Sequence, residues 1–145
     1  MNQNLNQNTM KSSTILVADD EPSVALELQY SLLSNSMDYR FVKAYTGDDA
    51  FNKAKKEKPN LIVLDIMMPQ SEKTLGHIDP QQGIKVFKKL KKDPETKDIP
   101  IIFSSINAKA NFINRDELDA EGFFAKFYDD DEKLEFINKI LNNSN

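Results

Sequence analysis

Cysteine is absent from the 145 residues of this chain. That excludes a disulfide framework and any thiolate-ligated metal site, and it suits a reducing compartment. Basic charge is not in excess either: 19 Lys and Arg stand against 23 Asp and Glu, a formal net charge of -4, with a pI near 5.0. A nucleic-acid surface built on bulk electrostatics is therefore not expected. The small cluster Lys88, Lys89, Lys91 and Lys92 reads as the solvated face of a helix. Long hydrophobic runs are missing too. The opening MNQNLNQNTMKSS has no apolar signal-peptide region, and no stretch approaches the roughly 20 apolar residues that span a bilayer. A soluble, cytoplasmic protein with no membrane partner is the expectation.

What is present suffices for one hydrophobic core and falls short of two. Residues 1–13 are rich in Asn and Gln and cannot bury enough apolar surface to order themselves, and residues 142–145, NNSN, read as a second tail. Between them, residues 14–141 alternate short β-branched runs with stretches of helical spacing. TILVA, YRFVKAY, LIVL, IPIIFS and FFA read as strands. PSVALELQYSLLS, GDDAFNKAKKE, GIKVFKKLKK, a segment from Ala108 to Ala120, and DEKLEFINKIL read as helices. Val24, Leu28 and Leu32 share one helix face, as do Leu134, Ile137 and Leu141, and Pro22 suits a first helical turn. Strands apolar on both faces and separated by helices imply a parallel sheet covered on both sides. The expected fold is a doubly wound α/β sandwich of three layers, with five strands and five helices. One connection is out of proportion: residues 70–82, QSEKTLGHIDPQQ, stand where such units normally use about two to six. The one histidine, His77, lies in it and is expected to be exposed.

The stretch LIVLDIMMP sets one acid, Asp65, among apolar residues. An ionised carboxylate leaving water needs a partner. Open parallel sheets bind ligands outside the carboxyl ends of their strands, and there the sequence puts Asp19 and Asp20, Asp65, Ser104 and Ser105, and Lys126. Asp19 and Asp20 alone could be helix-capping acids; set opposite Asp65 they become a site. Two carboxylates about 4 Å apart repel by roughly 4 kcal/mol at an effective dielectric of about 20, more than Lys126 alone can offset. A divalent cation can, and carboxylates with backbone oxygen and water suit Mg²⁺ when a phosphoryl group completes the set. The residues thus point to a Mg²⁺ site beside a carboxylate nucleophile, Asp65, with a lysine and a hydroxyl to hold an anion.

ILVADDEPSV, PNLIVLDIMMP, IPIIFSS and GFFAKF together resemble the receiver domain of bacterial two-component response regulators, the CheY-like superfamily, over roughly Thr14 to Leu141. The resemblance implies the flavodoxin-like strand order 2-1-3-4-5 known for that family. It implies that Asp65 is the phospho-acceptor, taking a phosphoryl group from a histidine kinase or histidine phosphotransfer protein. Asp20 and Asp65 would ligate Mg²⁺ with the backbone carbonyl of Met67, and Asp19 would assist. Ser105 takes the position of the switch hydroxyl, Lys126 that of the phosphate-binding lysine and Phe123 that of the switch aromatic. Such a chain is not an enzyme on other substrates; it promotes its own phosphorylation and dephosphorylation. Because the sequence ends after the closing helix, a stand-alone receiver is expected, monomeric or weakly dimeric, with no direct DNA binding. Its output would be a changed affinity for a downstream protein at the face of the fourth helix, fifth strand and fifth helix, near the acidic run Asp129 to Glu132.

The chain departs from the family at two places. Phe127 follows Lys126 where proline is usual, so that peptide is expected to be trans. The 70–82 connection is about ten residues longer than the family's, a tolerated surface insertion or an element that shields the site or meets a partner. These departures motivate an alternative: a receiver-fold binding module that works without phosphorylation. A Mg²⁺-dependent phosphatase resembling the haloacid dehalogenase group would need a second acid two residues after its nucleophile, and Met67 stands there.

Overall fold

The computed structural model describes residues 12–33, 39–105, 119–125 and 130–143. The β-branched runs form strands β1 (Ser13–Ala18), β2 (Tyr39–Ala44), β3 (Leu61–Asp65), β4 (Ile101–Ser105) and β5 (Gly122–Ala125). The stretches with helical spacing form α1 (Pro22–Leu33), α2 (Gly47–Glu57), α3 (Gln82–Lys92) and the closing α4 (Asp130–Asn143). All strands run parallel in one sheet of order β2-β1-β3-β4-β5. That is the expected 2-1-3-4-5 order. The helix expected between Ala108 and Ala120 lies, up to residue 118, outside the described residues. No helix among the described residues is long and apolar enough to cross a membrane.

Alternation along each strand divides the core between the two faces of the sheet. Leu16, Ala18, Ile62, Leu64 and Phe103 face α2 and α3, meeting Ala50, Ala54, Val86, Phe87 and Leu90. Ile15, Val17, Leu61, Val63 and Ile102 face the other way, against Val24, Leu28 and Leu32 of α1 and Ile137 and Leu141 of α4. The central strand β3 is buried along its whole length, whereas the edge strand β2 is largely half-exposed. Burial on both faces is why β1, β3 and β4 carry consecutive apolar residues, Ile15 to Ala18, Leu61 to Leu64 and Ile101 to Phe103, instead of alternating with polar ones.

Local chemistry fixes the helix ends. Thr46 caps α2, its hydroxyl accepting from the Asp49 amide at 3.1 Å. Asp48 and Asp49 lie in the first turn and Lys55 and Lys56 in the last, each the sign that the helix dipole favours. Beyond α3, the buried Thr96 donates its hydroxyl to the Leu90 carbonyl at 2.7 Å, satisfying an acceptor at the helix end. At the chain ends, β1 begins at Ser13, one residue before the expected start, and α4 continues to Asn143, two residues past Leu141. The helix thus runs on past Leu141, the last apolar position of its buried face.

The long connection is built rather than loose. It holds a 3-10 turn, Glu72–Thr74, in which Ser71 and Thr74 cap each other. A single antiparallel bridge joins Met68 to Asp79, and Gln82, expected to be the last loop residue, is the first of α3. His77 is exposed, as expected.

Two carboxylates near α3 carry an acid-dependent share of stability. The Glu95 amide, then Lys55, hold Asp93 below the ordinary carboxylate range, and Lys85, then the Gln81 amide, do the same for Asp79. A depressed folded value means that the contribution is complete above the unfolded pKa, near 4, and is lost as pH falls through the lower folded value. Urea midpoints of wild type and Asp93→Asn are therefore expected to differ at pH 7 and to converge below about pH 4. A gap that widens in acid would contradict this.

Candidate functional site

The carboxyl ends of β1 and β3 lie side by side, since Ala18 pairs with Leu64 in the parallel register. Asp19 leaves β1 with its amide bound to the Ala44 carbonyl at 2.9 Å. Its Oδ1 accepts the Glu21 amide, also at 2.9 Å, a local turn that redirects the chain into α1. Asp65 closes β3, its Oδ1 accepting the Met67 amide at 3.3 Å. Asp19 and Asp65 are only 3% and 2% exposed, and Asp20 is half-buried. One carboxylate oxygen from each of the three lies within 4.8 Å of the others. The acids that the sequence scatters over 47 positions, from Asp19 to Asp65, thus meet at one point.

The segment after Asp65 is held from several sides. The Ile66 carbonyl accepts from Gly83 at 2.9 Å, Met68 from Asp79 at 3.2 Å, Pro69 from Gly47 at 2.9 Å and Gln70 from Asp48 at 2.8 Å. Among the described residues, the Met67 carbonyl alone of this run, 66–70, accepts no hydrogen bond. Three carboxylates and an uncommitted carbonyl form an all-oxygen donor set. A hard divalent cation of the Mg²⁺ kind fits it, and the clustering of buried acids supplies the electrostatic reason for one.

Gly83 explains how α3 comes so close. A Cβ there would collide with the Asp65 carbonyl oxygen and the Ile66 Cα, so only glycine lets the start of α3 lie against the end of β3. Residue pattern alone does not single out Gly83. Its signal was a glycine in a first helical turn, a position where Gly carries a propensity cost unless something approaches the backbone.

The remaining expected residues divide by where the structure describes them. In register, Asp65 pairs with Ser104 and Ser105 with Ala125. Ser104 is buried and lines a small cavity with Val24, Ile102 and Ile137, between the sheet and the α1/α4 layer. The Ser105 side chain, Lys126 and the Lys126–Phe127 peptide lie outside the described residues. Phe123 is half-buried and stacks on Phe103 at 5.2 Å between ring centroids, with Phe103 in turn 5.3 Å from Phe87. In this state it belongs to the core. The Met67 side chain is 43% exposed.

Comparison with known proteins agrees with this geometry. Residues 15–138 match the family model described as the response regulator receiver domain. Protein PilH of Pseudomonas aeruginosa is 27% identical over 128 residues, 88% of this chain and 96% of PilH. The alkaline phosphatase synthesis transcriptional regulatory protein PhoP of Bacillus subtilis is 42% identical over 77 residues, 53% of this chain and 27% of PhoP. The chain spans no more than about half the length of the first curated relatives it matches, 27%, 49% and 42% of them. In fold, a CheY-like response regulator receiver domain protein from Methanospirillum hungatei superposes with a TM-score of 0.73 at 21% identity, over 92% of this chain and 97% of that one. The family match begins in the first buried strand, runs through all three clustered acids and ends inside the closing helix, so the chain belongs to the response regulator receiver domains of two-component systems.

Proposed function

We propose that this receiver is a phospho-acceptor in which Asp65 takes a phosphoryl group from the phosphohistidine of a histidine kinase or histidine phosphotransfer protein. One observation carries the reading: three carboxylates, two of them almost fully buried, within 4.8 Å of one another at the carboxyl edge of the sheet. Asp19, Asp20, Asp65 and the Met67 carbonyl would hold Mg²⁺, which when bound supplies the positive charge that lets a phosphoryl group approach three acids. A carboxylate oxygen of Asp65 attacks phosphorus. A P–O bond forms as the P–N bond breaks, and its electron pair stays on the departing imidazole. Ser105 and Lys126 bind the phosphoryl oxygens in this reading. Ser105 turning toward them and Phe123 repacking would shift a pre-existing equilibrium, changing the affinity of the β5/α4 face and its neighbouring segment for a downstream protein.

Intact-mass measurement with acetyl phosphate and Mg²⁺ tests the proposal, repeated with a phosphohistidine donor and with EDTA. A single adduct that requires Mg²⁺ supports it. No adduct from either donor would favour the alternative, a binding module indifferent to phosphate.

The lifetime of the adduct follows from Met67. Its half-exposed thioether stands two residues beyond the acceptor and has no donor with which to orient an attacking water. Decay over minutes or longer is expected, and Met67→Asn, which supplies an amide, should shorten it. Decay of the wild-type adduct within seconds would contradict this account.

A further inference from the structure

We infer that Asp79, within the long β3–α3 connection, is a positioning residue that holds the backbone after Asp65 so that the Met67 carbonyl stays available to a divalent cation. The inference rests on the phosphoryl reading above for its purpose, and on geometry for its content. Asp79 works at both ends of a short bridge. Its amide donates to the Met68 carbonyl at 3.2 Å, the one antiparallel bridge in this connection. Its carboxylate gathers the start of α3: Oδ1 accepts the Gln81 amide at 2.9 Å, and Oδ2 accepts Gln82 Nε2 at 3.1 Å and Lys85 Nζ at 2.7 Å.

The anchor is rigid because α3 is. Val86, Phe87 and Leu90 bury α3 against the sheet, and the Gln82 side chain is itself 5% exposed, with its Oε1 against Gly47. Met67 therefore sits between two pinned carbonyls: Ile66, held by Gly83, and Met68, held by Asp79. Gly83 pins its neighbour from the helix itself. Asp79 can do so only because the chain travels out through residues 70–78 and returns. The connection whose length departs from the family thus supplies one of the contacts that frame the site. Neighbours that support metal-binding groups without touching the metal typically alter affinity about 10- to 100-fold when removed.

Mg²⁺ titration of the full chain, followed by calorimetry or backbone amide shifts at 20 °C, tests this with Mg²⁺ alone as the probe. Asp79→Ala is expected to weaken Mg²⁺ binding about tenfold and to slow adduct formation at limiting Mg²⁺, with recovery at saturating Mg²⁺. Lys85→Met, which keeps the Asp79 amide and two of its three carboxylate contacts, should bind Mg²⁺ much as wild type does. A residue that served only stability would lower the melting temperature and leave the affinity of the folded protein untouched. Folded Asp79→Ala with wild-type Mg²⁺ affinity overturns the inference. Should that variant fail to fold, Asp79→Ser is read by the same criteria. A wild type that binds Mg²⁺ in an Asp79-dependent way but forms no adduct sinks the phosphoryl reading and leaves the positioning role standing; one that binds no Mg²⁺ overturns both.

Discussion

Asp65→Asn should form no phosphoryl adduct, and without Mg²⁺ it should melt at a higher temperature than wild type. The first half follows from chemistry, since an amide oxygen is no substitute for a carboxylate nucleophile. The second follows from electrostatics. Unit charges on oxygens within 4.8 Å of one another repel by about 3 kcal/mol per pair at an effective dielectric of about 20, and Asp65 takes part in two of the three pairs. Asn keeps Oδ1, so the Met67 amide retains its acceptor. Relaxation and partial solvation of Asp20 reduce the gain, and a net stabilisation of about 1–3 kcal/mol is expected, a rise in melting temperature of about 3–10 °C. Mg²⁺ should then raise the melting point of the wild type through preferential binding to the folded state, and that of Asp65→Asn far less. An Asp65 that served only structure would show the opposite: the variant would melt lower, with Mg²⁺ making no distinction. Scanning calorimetry of both proteins with and without Mg²⁺ settles which holds.

Gly83→Ala is expected to be the most damaging small substitution in the α3 layer. The added methyl would meet the Asp65 carbonyl oxygen and the Ile66 Cα, both backbone, at distances that no side-chain rotation can relieve. Helix propensity alone would favour alanine by about 1 kcal/mol, so the collision must overcome that gain before any loss is seen. We expect a net destabilisation of about 2–4 kcal/mol, a fall of roughly 6–15 °C in melting temperature. Because the Gly83 amide also holds the Ile66 carbonyl, Mg²⁺ affinity and adduct formation should fall with it. Gly76→Ala is the control. Nothing lies within 4 Å of a Cβ there, so its effect should stay within about 0.5 kcal/mol. Equal stability of the two variants in urea would mean that α3 can move away from β3 freely, and that the close approach has no role at the site.

The strands were legible because burial on both faces leaves a signature that needs no tertiary knowledge: ILVA, LIVL and IIF are consecutive apolar residues with no polar position to set a period of two. The helices were legible for the complementary reason, that Val24, Leu28 and Leu32, or Ile137 and Leu141, repeat at the spacing of one buried face. Asp65 stood out because a charge among apolar residues demands a partner, and Asp19 and Asp20 could be paired with it once strand ends were taken to share an edge. These inferences rest on local period and on the cost of burying charge, both of which are written along the chain.

The backbone contacts that frame the site were not. Gly83 lies 18 positions after Asp65 and Asp79 lies 11 after Met68, and nothing in residue type says that their amides reach back to Ile66 and Met68. The role of the 70–82 segment stays open in the sequence because its residues, mostly polar with Leu75 and Ile78 isolated among them, carry no period. Its order comes from contacts between residues far apart in sequence: the Met68–Asp79 bridge, and the Gly47 and Asp48 amides on Pro69 and Gln70. The sheet, the four described helices and the identity of the clustered acids follow from hydrophobic period and charge, which are properties of single residues and their neighbours. Which backbone groups around those acids are committed to hydrogen bonds, with Ile66, Met68, Pro69 and Gln70 engaged and Met67 not, follows from proximity in space, which no local pattern records.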